Sequence, residues 1–217
     1  MLKEQDTIFA LSSNPGRSAL SVVRVTGDLA LYTIKKLTKD KIKEFKHRVS
    51  HPTSIYNINN NLIDKSVITY YGAPNSYTGE DLVEISTHGN PIIVDNLFNT
   101  LKRLGLRLAN PGEFTSRAYH NKKIDLVQAE STLSVINAKS KAGVQTSLRG
   151  VIGKLSSRLE KTKQQLIKTL AELEYELDVS EKDNNENVAK MTIKNINTAI
   201  SEMERLIETH NKSSVLN

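Results

Sequence analysis

The stretch Tyr70–Pro91, YYGAPNSYTGEDLVEISTHGNP, decides how the first half of this chain folds. Ala73-Pro74-Asn75-Ser76 and Thr78-Gly79 break the chain twice, because proline fixes its own backbone and glycine and asparagine accept turn conformations. Leu82, Glu84, Ser86 and His88 then alternate with Val83, Ile85 and Thr87 at the two-residue period of a strand. That period holds Glu84 on a sheet face. From Pro91 the period changes, and Ile92, Val94, Leu97, Leu101 and Leu104 mark a helix that ends at Gly105.

Working outward, Thr7 to Ser12 and Leu20 to Val25 read as strands joined by the turn-rich loop Ser13-Asn14-Pro15-Gly16-Arg17-Ser18. Asp28 is placed to cap a helix running to about Leu37, with Leu29, Thr33, Ile34 and Leu37 on one side. Thr53 to Ile58 and Ile63 to Tyr71 predict a hairpin around Asn59-Asn60-Asn61, whose short polar side chains tolerate left-handed backbone. Leu106 to Ala109 is a further short strand. From Asp125 onward the strand signals vanish. Leu126, Ala129, Leu133 and Ile136 start a helical stripe, and Leu148, Ile152, Leu155, Leu159, Thr162, Leu166, Leu170, Leu173 and Leu177 predict one long amphipathic helix. After the charged break Asp178 to Asn187, the stripe Ala189, Ile193, Ile196, Ile200, Met203 and Ile207 predicts a second. Two helices with such narrow stripes need to pair with each other and with something else. The expected fold is α+β: a mixed α/β domain over 1–121, then an all-α domain of long helices over 122–217.

The composition, 38% hydrophobic and 25% charged, is that of an ordinary globular chain long enough for one large or two small domains. The sequence has no cysteine and only five scattered histidines, which excludes thiolate chemistry and gives no metal-ligand spacing. No apolar run reaches membrane-spanning length and Met1–Asp6 carries no signal pattern, so a cytoplasmic protein with no membrane contact is expected. A net charge of +6 and a pI near 9.3 suit an anionic partner. Much of that excess is lysine spread singly, as at Lys35, Lys36, Lys39, Lys41 and Lys43, a pattern that reads as solvated surface rather than as an RNA-facing stripe and leaves RNA nearby permitted but not required.

Several segments follow one another in an order that resembles one family. They are Asp6-Thr7-Ile8, Asn14-Pro15-Gly16-Arg17, Val23-Arg24-Val25-Thr26-Gly27, Ala73 to Asp81, Val83-Glu84-Ile85, His88-Gly89-Asn90-Pro91, Pro111-Gly112-Glu113-Phe114-Thr115, Arg117-Ala118, and Asn121 to Leu126 with Gln128-Ala129-Glu130. The ordered set resembles the N-terminal part of the tRNA-modification GTPases known as MnmE or TrmE. The resemblance implies an N-terminal domain similar to folate-binding aminomethyltransferase domains. That domain is implied to bind a one-carbon tetrahydrofolate, either 5-formyl- or 5,10-methylene-tetrahydrofolate, and to form a homodimer. It also implies a helical domain and, in the complete family protein, a G domain that uses GTP, Mg and K. With an FAD-dependent partner resembling MnmG (GidA), the family is implied to install a 5-carboxymethylaminomethyl-type group on the wobble uridine of tRNA. The tail Asn211-Lys212-Ser213-Ser214-Val215-Leu216-Asn217 looks like the end of a phosphate-binding loop, but no glycine lies from Asp178 onward to build the turn that cradles phosphates, so no competent nucleotide site is expected here.

Chemistry and resemblance together single out three residues. A reduced pterin presents an amino group and a ring N–H on one edge, which a strand-held carboxylate accepts in parallel, and Glu84 aligns with such a glutamate; a salt-bridging strand glutamate is the plainer alternative. Arg24 interrupts a strand otherwise suited to burial, so its charge needs a partner or a ligand, and the resemblance carries a folate contact to it. Lys123 matches a third folate-contacting position; unaided, it reads as surface charge. Arg17 fits either a supporting contact or a loop-positioning role. His88 reads as a structural histidine rather than a base, and Glu80 and Asp81 as loop or cap carboxylates. No nucleophile, metal or general-base set is evident, so no catalytic residue is assigned. Beside the folate-binding, dimerising part of a tRNA-modification GTPase stand two other readings: a non-catalytic dimeric scaffold, and a free-standing folate-dependent transferase.

Overall fold

The structure is a computed structural model that describes residues 6–42, 44–179 and 186–214. It divides into two compact units, Met1–Ile124 and Asp125–Asn217.

The first unit is built on a six-stranded sheet. Its strands are β1 (Ile8–Leu11), β2 (Ser18–Thr26), β3 (Ser50–Tyr56), β4 (Leu62–Tyr71), β5 (Leu82–Gly89) and β6 (Arg107–Leu108), in the order β3-β4-β5-β2-β1-β6. All neighbours are antiparallel except the β1–β6 pair. The register aligns Val23 with Ile85, Val25 with Val83 and Ile68 with Ile85, so one face is apolar through the centre of the sheet. Helices α1 (Ala30–Leu37) and α2 (Pro91–Arg103) cover that face, and Ile34, Leu37, Leu97 and Leu101 join Phe9, Val23, Val25, Ile55, Ile68, Val83 and Ile85 in one core. By the same alternation Arg24, Glu84 and Thr69 come into line on the opposite face, away from the core. A last short helix, α3 (Glu113–His120), closes the unit.

Local chemistry accounts for most boundaries. Asn90 caps α2, its side chain accepting from the Ile92 amide with Pro91 at the first helical position. The β3–β4 turn closes as Asn57 Oδ1 accepts the amides of Asn59 and Asn61 while Asn60 takes a left-handed φ of 64°. One boundary departs from expectation. Asp28 does not cap α1; the helix begins at Ala30 and makes no side-chain cap of its own. The Leu29 amide instead donates to Thr7 Oγ1, 2.8 Å away and just before β1, so the orphan amide is satisfied by a residue distant in sequence.

The second unit holds α4 (Leu126–Asn137), α5 (Lys141–Val151), α6 (Lys154–Val179) and α7 (Glu186–Ser214). A reciprocal capping box starts α4, with Asp125 Oδ1 accepting the Gln128 amide and Gln128 accepting the Asp125 amide. The single helix expected across Leu148 to Leu177 is two. Gly153, at φ +76°, ends α5 after Ile152 and lets α6 start on a new axis. The α6–α7 seam is more polar than the leucine stripe predicts: Thr162 donates to Glu202, Asn195 donates to Thr169, and both threonines are buried, as is Ala199. Leu170, Leu177, Ile193 and Ile200 remain about half exposed or more. The phosphate-loop resemblance rests on side chains from Asn211 onward, which lie outside the described residues.

Candidate functional site

Two of the three candidate residues meet across the central strands. Arg24 on β2 and Glu84 on β5 stand directly opposite in the register. Nε and Nη2 of Arg24 lie 2.8 and 2.7 Å from the same oxygen, Oε1 of Glu84. The second oxygen, Oε2, accepts the Tyr71 hydroxyl at 3.2 Å. Burial holds the Tyr71 phenol above its usual pKa, and the neighbouring Glu84 charge raises it further, so Tyr71 stays a donor at neutral pH. Tyr77 completes the group, its ring centroid 5.9 Å from the Arg24 guanidinium carbon and its hydroxyl 3.0 Å from Thr115 Oγ1.

This arrangement leaves bonding capacity unused. Arg24 has five N–H groups and spends two on Glu84; Glu84 Oε2 holds one long hydrogen bond and keeps a lone pair. The side chains are 36% and 24% exposed, so a solute can reach both. The pair therefore offers acceptors and donors side by side on a polar sheet face with an aromatic flank.

Lys123 is not bonded to this pair. Its side chain lies over the Ser76–Asp81 loop: a Cβ at Gly79 would come within 3.1 Å of Lys123 Cγ and 3.0 Å of Asn121 Cβ. Gly79 also has φ +81°, so glycine is needed there on both counts. The Asn121 amide donates to the Thr78 carbonyl at 2.7 Å, tying the segment before Lys123 to the same loop. The loop in turn bonds β2, with the Thr26 and Thr78 hydroxyls 2.7 Å apart and Thr26 3.0 Å from Glu80 Oε2. Lys123 and Arg24 thus approach the same loop, Lys123 at Gly79 and Arg24 at the Tyr77 ring. Arg17 is exposed on its loop.

The remaining carboxylates of the opening stretch hold structure. Asp81 Oδ1 accepts the Tyr70 hydroxyl and the Ala73 amide, both at 2.9 Å, latching the loop to the end of β4. Burial first, and Asp81 second, push the Tyr70 phenol up to about 12. Glu80 pairs with Arg117 at 3.2 Å. His88 is held by Asp64, which accepts from its ring at 2.8 Å and from its backbone amide at 2.7 Å, in keeping with a structural histidine.

A larger ion cluster escaped the sequence. Arg107 bonds Asp6 and Glu113, and Arg117 bonds Asp6, Glu113 and Glu80. Glu113 is 4% exposed and also accepts the Asn110 amide at 2.7 Å. The Arg107 hydrogen bonds hold both Asp6 and Glu113 below the usual carboxylate range against the opposing effect of burial. Tyr71 and Tyr77 were also missed as neighbours of Glu84, although both lie within the quoted stretch. Among the described residues no group of three or more histidine or acidic side chains can hold a metal ion, and no helix is long and apolar enough to cross a membrane.

Comparison with known proteins gives two family matches. Residues 7–123 match the GTP-binding protein TrmE N-terminus, and residues 126–217 match the MnmE helical domain. Curated relatives named tRNA modification GTPase MnmE include that of Fervidobacterium nodosum, 41% identical over 80% of this chain and 39% of its own length. That of Buchnera aphidicola subsp. Cinara cedri is 38% identical over 96% of this chain and 46% of its own, and that of Aquifex aeolicus 35% identical over 94% and 46%. The chain spans about half the length of the curated relatives it matches or somewhat less.

Proposed function

We infer the function of this chain from its kinship: it belongs to the MnmE/TrmE family of tRNA modification GTPases. Its role is to bind a one-carbon tetrahydrofolate and to form a homodimer, as the folate-holding part of a cytoplasmic machine that modifies the wobble uridine of tRNA at carbon 5. An FAD-dependent MnmG-like protein is the partner that completes the reaction site. GTP, Mg and K are expected of the complete family protein with its G domain.

The observation that carries this reading is the unused bonding capacity of the Arg24–Glu84 pair. Glu84 Oε2 suits the amino and ring N–H donors of a pterin edge, while the spare N–H groups of Arg24 suit an oxygen acceptor on the same ligand. Lys123, beyond the Ser76–Asp81 loop, is the cation for the ligand's glutamyl carboxylates. Tyr77 offers a ring against which a flat heterocycle packs. The chemistry supplied by such a ligand is its transferable carbon; the residues here hold and orient it.

A second reading draws on the same geometry. Arg24 and Glu84 already neutralise each other, as a purely structural bridge would, and the chain would then be a non-catalytic dimeric scaffold that still docks the flavoprotein. Titrating 5-formyltetrahydrofolate into the chain separates the two. Saturable binding with one ligand per chain supports the folate-binding role; heats indistinguishable from dilution leave only the scaffold.

A further inference from the structure

On the helix-covered side of the first unit lies a cleft of about 490 Å³, lined by the end of α1, the β3–β4 turn and the end of α2. Lys36 and Lys39 line it, and a third lysine, Lys41, reaches the Tyr56 side chain that forms part of its wall. Lys39 Nζ stands 3.8 Å from the Tyr56 ring centroid and donates to the Asn60 carbonyl at 3.3 Å. Lys41 Nζ is 5.2 Å from the same ring and 3.3 Å from the Tyr56 hydroxyl. Lys36 Nζ lies 5.4 Å from the Tyr32 ring, which is 48% exposed. The cleft's one carboxylate, Asp40, forms no ion pair with them, and no ion pair among the described residues engages Lys36, Lys39 or Lys41.

The end of a helix carries partial negative charge, which accounts for Lys35 and Lys36 in the last turn of α1. It does not account for Lys39 and Lys41, which lie past the helix and share one tyrosine. Two ammonium groups on a single ring repel each other, and the loop that brings them there uses left-handed backbone at both Lys39 and Asp40, φ 54° and 53°. An anion between the ammonium groups removes that repulsion. Beside them Asn57 has its carbonyl oxygen occupied by two backbone amides, so its –NH2 remains as a donor for sugar hydroxyls.

We propose that this cleft, with Lys36 and Lys39 in its wall and Lys41 on the Tyr56 ring that lines it, is an RNA-backbone site that takes phosphodiesters of tRNA without reading sequence. The proposal rests on the tRNA-facing role above for the choice of polyanion, and not on the folate pocket.

The test is fluorescence anisotropy of labelled, unfractionated tRNA with the whole chain at salt between about 50 and 200 mM. The triple variant Lys36→Gln/Lys39→Gln/Lys41→Gln should lose about tenfold or more in affinity. Its slope of log K against log salt should also fall by roughly two to three. Lys161→Gln/Lys163→Gln/Lys168→Gln on α6 makes the same change in net charge and should lose far less. Tyr56→Leu, which keeps every charge but removes the platform, should weaken binding by about threefold. Equal loss in both triple variants, an unchanged salt slope, or no tRNA binding by the wild-type chain overturns the proposal. Folate titration of the same variants should be unchanged, so failure here is distinct from failure of the folate reading.

Discussion

Glu113 shows how a single side chain can be buried and charged at once. Two guanidiniums and one backbone amide face it, so the loss of water is offset by charge-assisted hydrogen bonds. Glu113→Ala leaves Arg117, 11% exposed, without that partner and should destabilise the first unit by about 3 kcal/mol, read as a lowered urea midpoint. The same group sets an acid limit. Asp6 and Glu113 titrate lower in the folded state than their ordinary values of 3.8 and 4.5, so their contribution is fully present above about pH 4.5 and is lost as pH falls through the folded values. Glu113→Gln should flatten that acid-side decline. Little of this was legible beforehand. Pro111-Gly112-Glu113-Phe114-Thr115 drew attention only as a resemblance, and nothing local announces that Asp6 and Glu80, far apart in the chain, converge on Arg117. Glu84 and Arg24 were legible as residues, because a charge in an alternating strand needs an answer. That each is the other's answer depended on the β2–β5 register.

Strands and caps that depend on neighbours in sequence were readable; those that depend on neighbours in space were not. The β4–turn–β5 pattern, the asparagine-rich hairpin and the Asn90-Pro91 start of α2 follow from period and turn chemistry alone. The start of α1 did not, since its orphan amide is met by Thr7, just before β1 and distant in sequence, rather than by Asp28. The α5–α6 break was hidden by a leucine stripe whose spacing runs through Gly153 without a missed step. Spacing reports which side of a helix is apolar, whereas a left-handed residue redirects the axis. Gly153→Ala should therefore cost the second unit about 1 kcal/mol, because alanine is strained at φ +76° even though the space beside it, with Gln128 Nε2 at 3.4 Å, is tight but passable. A thermal melt of the variant that matches or exceeds the wild type would mean that the break moves freely along the stripe.

At the scale of the molecule, sequence and structure agree on an α+β unit followed by a helical one, and the family matches divide the chain at the same place, with the first ending at 123 and the second starting at 126. The two units differ in how completely they bury themselves. The first has a closed core in which Phe9, Ile34, Ile55, Ile68, Ile85, Leu97 and Leu101 are fully buried. The second leaves much of its leucine and isoleucine stripe in water and joins α6 to α7 through threonine, asparagine and glutamate. The proposed folate site lies on the polar face that the sheet of the first unit turns away from its core. We propose that Glu84, oriented by Arg24 and Tyr71, reads a pterin there. Isothermal titration of 5-formyltetrahydrofolate into the wild type and Glu84→Ala, with circular dichroism confirming an unchanged fold, tests this most directly. The account predicts saturable binding by the wild type and more than about a tenfold loss in the variant; equal affinity in two equally folded proteins would contradict it.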